Sequence, residues 1–244
     1  MQTRSTISAE KITVVLTSCG RWDLLTRSID SFLTHHEPAR FILIDDSGNP
    51  EIVDRIRHRF PFVDLIANEQ RIGQHAAIDK AYSKVRTPFI VHLEDDWDFS
   101  GTMRTDEAIQ LLSDDASVSA VCFVVFHELK LRHRIHSFKF MYGGQAYARM
   151  TRRAHRDWHG YSFYPTLVAR ATWEEYGPYA NFPNERALSR YVKDRGRSLV
   201  YQLPGVAKHA GSGQSVFDPA RAQERRRISG GLWRRLRGEN VYRS

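Results

Sequence analysis

The first hundred residues alternate short apolar runs with segments of helical periodicity. Four of these runs, each bounded by polar or turn residues, predict buried strands: 12–17, 41–44, 63–66 and 89–93. Between them, apolar positions at helical spacing predict three helices: 22–35, a second from residue 50, and 74–85. A β-α-β-α-β-α-β order with short loops is typical of an α/β fold with a doubly wound, mostly parallel sheet.

The second half of the chain has a less regular pattern. It predicts further helices and strands: a helix at about 103–112, strands at 117–126 and 164–170, a short helix at 171–176, a helix from the N-cap Asn184 to Arg195, and a strand at 199–203. Residues 132–156 have weak periodicity, which leaves a hairpin and an irregular flap open, and 204–214 is expected to be loop. We therefore expect an extension at 1–10, one domain over 11–216 with halves at about 11–100 and 101–216, and a tail at 217–244.

Composition narrows the class of protein. The chain has 244 residues, 41% of them hydrophobic, which suits one α/β domain with a large core. No apolar run approaches the ~20 residues of a membrane span. The N-terminal residues lack the apolar stretch of a signal peptide, and Cys19 and Cys122 lie in strand-like settings that favour free thiols. These features predict a cytoplasmic protein.

The formal net charge of +8 is unevenly distributed. Basic residues concentrate in 132–156 and again in the tail, 221–243. Such a balance permits nucleic acid, an anionic membrane surface or a phosphorylated substrate as a partner. Charge alone does not choose among these three.

The apolar run at 89–93 is followed directly by Glu94, Asp95 and Asp96. If the run is a parallel strand, these acids emerge at its carboxyl end, the edge where open α/β sheets bind ligands. Three adjacent carboxylates repel one another unless a cation offsets their charge. A divalent ion that also bridges to substrate phosphates would do so, whereas the alternative is a solvated acidic turn.

Polar residues also follow two other predicted strands. The first strand leads into Thr17, Ser18 and Arg21, and the second ends at Asp45 and Asp46. Acids there can accept hydrogen bonds from a ribose or a nucleobase. Arg71, in the loop after the third strand, can reach a base or a diphosphate. Neither Gly-x-Gly-x-x-Gly nor a Walker loop follows the first strand, so a diphosphate would depend on a metal ion.

Four segments together resemble the successive motifs of GT-A glycosyltransferases, closest to family 2. The resemblance covers about residues 10 to 100 and, more loosely, 160 to 215. The matching segments are Val14-Val15-Leu16-Thr17-Ser18, Ile44-Asp45-Asp46-Ser47-Gly48, Asn68-x-x-x-Ile72-Gly73 and Leu93-Glu94-Asp95-Asp96. The resemblance implies a GT-A fold, a nucleotide-sugar donor (a UDP-sugar is favoured) and Mn²⁺ or Mg²⁺ as cofactor.

The family's residue roles can be carried onto the matching positions. Thr17 and Asp45 would contact the uridine part of the donor. Asp96, the last acid of the Asp-x-Asp-type motif, would bind the metal directly, although this chain reads Glu-Asp-Asp. The remaining residues of the donor site would be Ser18 and Arg21 after the first strand, Asp46 and Arg71 near the uridine, and Glu94 and Asp95 on the ribose or the metal's waters.

Two later residues resemble functional positions of the family's second half. Glu185 opens a predicted helix, as does the Glu-Asp pair of inverting members, and would be the general base; Arg186 follows it instead of Asp. The alternative is a helix N-terminal Glu favoured by the macrodipole. His209, before Gly-Ser-Gly, resembles the histidine that completes the metal site in many members, and the alternative is a solvated loop histidine.

The sequence thus predicts a metal-dependent, inverting glycosyltransferase acting on a hydroxyl of a saccharide or lipid-linked acceptor. The basic tail is interpreted as an anchor to anionic lipid or to an anionic acceptor, which would bring the protein to the cytoplasmic membrane face. No nucleic acid is expected, because the strand-end acids repel phosphate. Two alternatives stay open: a non-catalytic nucleotide- or polyanion-binding protein on the same fold, and a nucleotidyltransferase, although the glycine-rich activation loop of the latter is missing.

Overall fold

The computed structural model describes residues 4–210. Its strands are β1 (Ser5–Ile7), β2 (Ile12–Ser18), β3 (His36–Pro38), β4 (Phe41–Asp45), β5 (Asp64–Ala67), β6 (Phe89–Glu94), β7 (Trp97–Phe99), β8 (Val118–Cys122), β9 (Ser137–Tyr142), β10 (Gln145–Met150), β11 (Thr166–Ala169), β12 (Ser198–Leu203) and β13 (Ala207–His209). Its helices are α1 (Trp22–His35), α2 (Pro50–Arg59), α3 (Gln74–Tyr82), α4 (Thr105–Asp114), α5 (Leu131–Ile135), α6 (Arg170–Tyr176) and α7 (Glu185–Asp194). Two 3₁₀ turns cover Phe126–Glu128 and Tyr179–Asn181.

Nine strands form one central sheet in the order β5-β4-β2-β6-β11-β8-β12-β10-β9. Only β11 and β10 run against the others, so the mostly parallel sheet that the pattern predicts is confirmed. Every residue of β2 and β4 is buried, which explains their unbroken apolar runs. The carboxyl ends of β2, β4 and β6 therefore lie side by side at one edge.

Two helices begin where the sequence supplies an N-cap. The side chain of Asn49 accepts a hydrogen bond from the backbone N–H of Glu51, and Pro50 occupies the first helical position of α2. Asn184 likewise accepts from the N–H of Ala187, so the predicted start of α7 at Glu185 is confirmed. This cap fixes the position of Glu185 as the first residue of α7.

The weakly periodic stretch 132–156 contains a short helix, α5, followed by the β9–β10 hairpin. Gly143 and Gly144 form the hairpin turn with φ of +55° and +78°, values that glycine adopts at little cost. Because β10 pairs with β12, the hairpin extends the central sheet and makes β9 its edge strand. Of the two alternatives left open by the sequence, the structure shows the hairpin.

Two short strand pairs were not predicted. β1 and β3 pair in parallel, within a part of the chain expected to be an extension and a loop. β13 lies in the predicted loop 204–214 and pairs antiparallel with β7. Three-residue strands are too short to produce an alternating pattern, so they could not be predicted from the hydrophobic periodicity.

Two further expectations can be compared with residues 4–210. Cys19 and Cys122 are free thiols, as predicted. No helix in this part of the chain combines the length and hydropathy needed to cross a bilayer.

Candidate functional site

The ends of three neighbouring strands converge, as the sequence predicts. Ser18 at the end of β2 lies opposite Asp45 at the end of β4, and Thr17 lies opposite Glu94 of β6. The Ser18 hydroxyl donates to Asp95 Oδ2 at 3.2 Å, so the segments after β2 and β6 are in direct contact. The acids of β4 and β6 thus belong to one crevice.

Asp45 joins the turns that follow β2 and β4. Its Oδ2 accepts from the Gly20 N–H at 3.1 Å, and its Oδ1 accepts from the N–H of Ser47 at 3.1 Å and from the Ser47 hydroxyl. Gly20 has φ +76°, a conformation that suits glycine in this tight turn. The Asp45 side chain is completely buried, so its carboxylate organises backbone.

Asp46 fixes the loop between β5 and α3. Asn68 Nδ2 and the Ile72 N–H both donate to its Oδ1, and the Gly73 N–H donates to its Oδ2, each at 2.8 Å. Lys80 Nζ in turn donates to Asn68 Oδ1 at 2.6 Å. Both oxygens of Asp46 are therefore used to shape the loop.

Arg71 and Thr17 are placed differently from each other. Arg71 is exposed on the loop that Asp46 shapes, and its charge opposes the rise in the Cys19 pKa that burial causes. The guanidinium thus lies near the turn after β2. The buried Thr17 hydroxyl donates to the Leu93 carbonyl at 3.5 Å, between two strands of the sheet.

Arg21 bridges two carboxylates after β6. Its Nε donates to Asp95 Oδ2 at 3.3 Å, and its Nη2 contacts Asp95 Oδ1 and lies 2.8 Å from Asp96 Oδ2. Burial raises the pKa of Asp95, and the hydrogen bond and charge of Arg21 oppose that rise. Although burial works to lower it, the pKa of Arg21 is raised by Asp95. A cation of the protein thus offsets part of the acidic charge.

Asp96 retains an unused oxygen. The residue is 9% exposed, and its Oδ1 is buried without a hydrogen-bond partner among residues 4–210. His209 Nε2 lies 3.4 Å from Asp96 Oδ2. The β13–β7 pairing produces this proximity, since it sets His209 opposite Trp97 and allows the Ala210 N–H to donate to the Asp96 carbonyl at 2.8 Å.

Glu94 is held from both sides. Gln74 Nε2 donates to its Oε1 at 2.7 Å, and Trp97 Nε1 donates to its Oε2 at 3.4 Å. Burial raises the pKa of Glu94 well above its ordinary value, and the charges of Asp96 and Glu185 add to the effect. Glu94 therefore lies within reach of the charges of both acids.

Glu185 approaches the crevice from the opposite half of the chain. Its Oε1 accepts from the Ser162 hydroxyl at 2.6 Å and from the Phe163 N–H at 3.1 Å. Its charge contributes to the raised pKa of Glu94 and, after burial, to that of Tyr164. The structure thus brings Glu185 to the side of the sheet that carries the strand-end acids.

The donor set can be tested against a divalent ion. Within residues 4–210, no group of three or more His, Cys, Asp or Glu side chains is arranged to hold a metal. Mg²⁺-type sites commonly use one or two carboxylates and complete their coordination with substrate phosphates and water. Asp96, with its unpartnered buried Oδ1, and His209 beside it fit such a two-donor site.

Sequence reasoning missed several supporting residues. Gln74 and Ser162 each donate one hydrogen bond to a candidate residue, and Lys80 acts on Asp46 through Asn68. Single polar side chains on helices or loops carry no distinguishing pattern. Asn68 did stand in a motif, but without a role. The basic tail and the Gly-Ser-Gly after His209 lie outside the described residues.

Three comparisons with known proteins were made. The family model described as Glycosyl transferase family 2 matches residues 13–174. A sequence search among curated proteins gave no significant match. Similar solved structures include GalNAc-T7 with UDP, GalNAc and Mn²⁺ (13% identity, TM-score 0.57, 85% of this chain and 45% of that one). They also include the mannosyltransferase PcManGT from Pyrobaculum calidifontis with GDP-Man and Mn²⁺ (16%, 0.54, 84% and 58%). At such identities the likeness shows the fold, and this chain spans about half the length of those structures.

Proposed function

Since the chain belongs to glycosyl transferase family 2, we propose that it transfers a sugar from a nucleotide-sugar donor to a hydroxyl of a saccharide or lipid-linked acceptor. A UDP-sugar is the preferred donor. The observation that carries the proposal is the unpartnered Oδ1 of Asp96, buried at the crevice beside His209. A buried acceptor atom of this kind is costly unless a ligand uses it.

The donor nucleotide would lie across the ends of β4 and β2. Asp45 and Asp46 shape the two loops there through backbone hydrogen bonds, and Arg71 is exposed on one of them. We propose that these loops form the wall against which the base and ribose bind. Arg71 would then supply positive charge to the base or the diphosphate.

Asp96 and His209 would hold the Mn²⁺ or Mg²⁺. Such an ion, when bound, stabilises negative charge on the departing nucleoside diphosphate. Arg21 orients both Asp95 and Asp96, and its positive charge reduces the repulsion between them. Because Arg21 uses Asp96 Oδ2, the open Oδ1 is the oxygen best placed to receive the cation.

Glu185 would act as the general base. Ser162 and Phe163 fix one carboxylate oxygen, which orients the side chain. The carboxylate would accept the proton of the acceptor hydroxyl as that hydroxyl attacks the anomeric carbon from the face opposite the diphosphate, so the product would have inverted configuration. Glu94, held by Gln74 and Trp97, would contact the ribose or the water around the cation.

Calorimetric titration tests the donor proposal. We expect UDP to bind at micromolar Kd with Mn²⁺ present and much more weakly without it, with GDP and CDP as base controls. Equal binding of all three nucleotides without Mn²⁺, or no binding, would contradict the proposal. A preference for GDP would retain the cation site and correct the base.

The stereochemical proposal has its own test. Proton NMR of the first product, with a donor found by screening UDP-sugars, should show inversion at the anomeric carbon. Glu185→Gln should lower turnover at least ~100-fold, the scale of a lost general base, while UDP affinity is retained. Retention of configuration would remove Glu185 from this role.

A further inference from the structure

Exposed large apolar side chains are concentrated in one short segment. Leu131, Ile135, Phe138 and Met141 are 64%, 66%, 49% and 65% exposed. Within the described residues, large hydrophobic side chains with comparable exposure elsewhere are Phe62 and Ile72 alone. We name the four clustered residues the 131–141 patch. A concentration of exposed apolar groups in one segment is typical of an interaction site.

The patch projects from the end of the sheet. Leu131 and Ile135 stand one turn apart on α5, hence on one helical face. Phe138 and Met141 are three residues apart on β9, so they point to opposite faces of the sheet. β9 is the edge strand, and among residues 4–210 no strand pairs with its outer side. One flat surface of a partner protein could not cover apolar groups on both faces of an edge strand. Lipid, which can surround the edge, could cover both.

The patch segment itself carries charge of one sign, and the acidic Glu128 and Asp114, which accepts from the Tyr142 hydroxyl, lie beside it. Residues 129–156 contain eight Lys or Arg and no Asp or Glu. Lys130, Arg132 and Lys139 are exposed within or next to the patch. A second copy of this chain seated here would bring like charges together, which opposes self-association. A nucleic acid would use the cations and leave the apolar groups in water.

From this combination we infer that the 131–141 patch docks on an anionic phospholipid surface. Apolar side chains at the headgroup boundary and cations facing anionic lipids are the two contributions that hold a peripheral protein on a bilayer. The inference does not depend on sugar transfer, because docking needs neither donor nor cation. It assigns contact with anionic lipid to a different segment from the basic tail, which lies outside the described residues.

The position of the patch relates it to the candidate site. β9 runs in the same direction as β6, so Met141 lies near the carboxyl ends of the strands, as Asp96 does. Five strand spacings separate β9 from β6, which puts Met141 about 24 Å from Asp96. Glu128, three residues before Leu131, pairs with Lys208 at 3.6 Å, next to His209. A bilayer that contacts the patch would therefore face the same strand ends as the crevice, at a distance that an extended lipid-linked acceptor would have to span.

Vesicle co-sedimentation of the full chain tests the inference. Vesicles of phosphatidylcholine alone are compared with vesicles containing about 30% phosphatidylglycerol. We expect preference for the anionic vesicles, a loss of about tenfold in partitioning for Ile135→Ser with Met141→Ser, and a similar loss for Lys139→Glu. The matched controls are Phe62→Ser, 51% exposed near β5 at the other sheet end, and Lys84→Glu; both should partition as the parent does.

Several outcomes would overturn docking at this patch. They are no preference for anionic vesicles, no loss in the patch variants, or an equal loss in the Phe62→Ser and Lys84→Glu controls. Sedimentation velocity without lipid adds a second measurement. A dimer that Ile135→Ser with Met141→Ser converts to monomer, with vesicle binding unchanged, would assign the patch to a second copy. Circular dichroism of each variant checks that the fold is retained.

Discussion

The acids at the end of β4 and those at the end of β6 are held in different ways. Asp45 and Asp46 accept hydrogen bonds on both oxygens, mostly from backbone N–H groups of the neighbouring loops. Asp95 and Asp96 are bridged by one guanidinium, and Asp96 keeps a buried oxygen without a partner. The two pairs have the same composition, and they differ in one oxygen, Asp96 Oδ1, which has no partner among the described residues.

This difference indicates that the two pairs of acids have different roles. A carboxylate saturated by backbone donors fixes loop geometry and has little capacity left for a ligand. A buried carboxylate with an unused oxygen is destabilising on its own and gains most from a cation. We therefore expect changes at the β4 pair to act mainly on stability and changes at the β6 pair to act mainly on chemistry.

The largest effect is expected from Asp96→Asn. Loss of the carboxylate charge at the proposed cation site should lower turnover by about 1,000-fold, since such ions contribute several kcal/mol to stabilising the transition state. The melting temperature should change little, because asparagine keeps an oxygen that can accept from Arg21 and Asp95 still pairs with that guanidinium. Asp98→Asn is the matched control: Asp98 also has a buried Oδ1 with no partner among the described residues, but it pairs with Arg27 instead of Arg21. Equal turnover of the two variants would contradict the cation assignment.

Asp46→Ala should act on stability instead. It leaves Asn68 Nδ2 and the N–H groups of Ile72 and Gly73 without their acceptor, which should lower the free energy of unfolding by about 3 kcal/mol. Urea denaturation measures this, with the exposed neighbour Glu69→Ala as control. A loss below about 1 kcal/mol would show that water replaces these bonds and that Asp46 is not a loop clamp.

Arg21→Gln tests the β6 pair through its affinity for a cation. Removing the guanidinium leaves Asp95 and Asp96 without their internal counter-charge, so Mn²⁺ should bind about tenfold more tightly when no nucleotide is present. Mn²⁺ titration followed by paramagnetic resonance measures this. Arg27→Gln, which affects Asp98 only, should leave the affinity unchanged. Weaker binding in Arg21→Gln would mean that Arg21 supports the cation site.

The smallest effect at neutral pH concerns His92, a buried residue of β6 whose two ring nitrogens have no hydrogen-bond partner among the described residues. Burial lowers its pKa from 6.5 to about 3, so the fold favours neutral histidine. Below pH 6.5 the unfolded chain protonates His92, whereas the folded protein does so only near pH 3. The free energy of unfolding is therefore unaffected by His92 above pH 6.5 and falls by about 1.4 kcal/mol per pH unit as the pH drops towards 3. His92→Leu should remove this share of the acid sensitivity.

His36 provides the control for that measurement. Burial also lowers its pKa, to about 4, but its ring is used: Nε2 accepts from the Met103 N–H at 2.9 Å, and Nδ1 lies 3.1 Å from the Phe32 carbonyl. His36→Leu should therefore destabilise the protein by about 1–2 kcal/mol even at pH 7. If His92→Leu showed the same loss at pH 7 and an unchanged pH slope, the account of His92 would be wrong.

The sequence predicted one half of the site more completely than the other. Asp45, Asp46 and the acids 94–96 follow apolar runs directly, so their convergence needed only the rule that parallel strands end at one edge. The same rule did not reveal that Asp45 and Asp46 are saturated, because their donors come from loop backbone. Backbone N–H groups carry no residue signature.

The other half depends on contacts between distant segments. His209 reaches Asp96 through a three-residue strand pair, and Glu185 is oriented by Ser162 from a loop 23 residues earlier. The resemblance selected both residues, yet no local pattern predicted the contacts that hold them. Similarly, the weak periodicity of 132–156 did not indicate which apolar residues of α5 and β9 are exposed, because their exposure depends on the position of β9 at the edge of the sheet.

Counting bound Mn²⁺ by paramagnetic resonance in the presence of saturating UDP tests the central claim most directly. The account predicts one UDP-dependent Mn²⁺ per chain in the parent protein and in Asp98→Asn, and none in Asp96→Asn. An Asp96→Asn variant that retains this Mn²⁺ with unchanged affinity would contradict the account, because the unpartnered oxygen at the end of β6 would then not be the place where the cation binds.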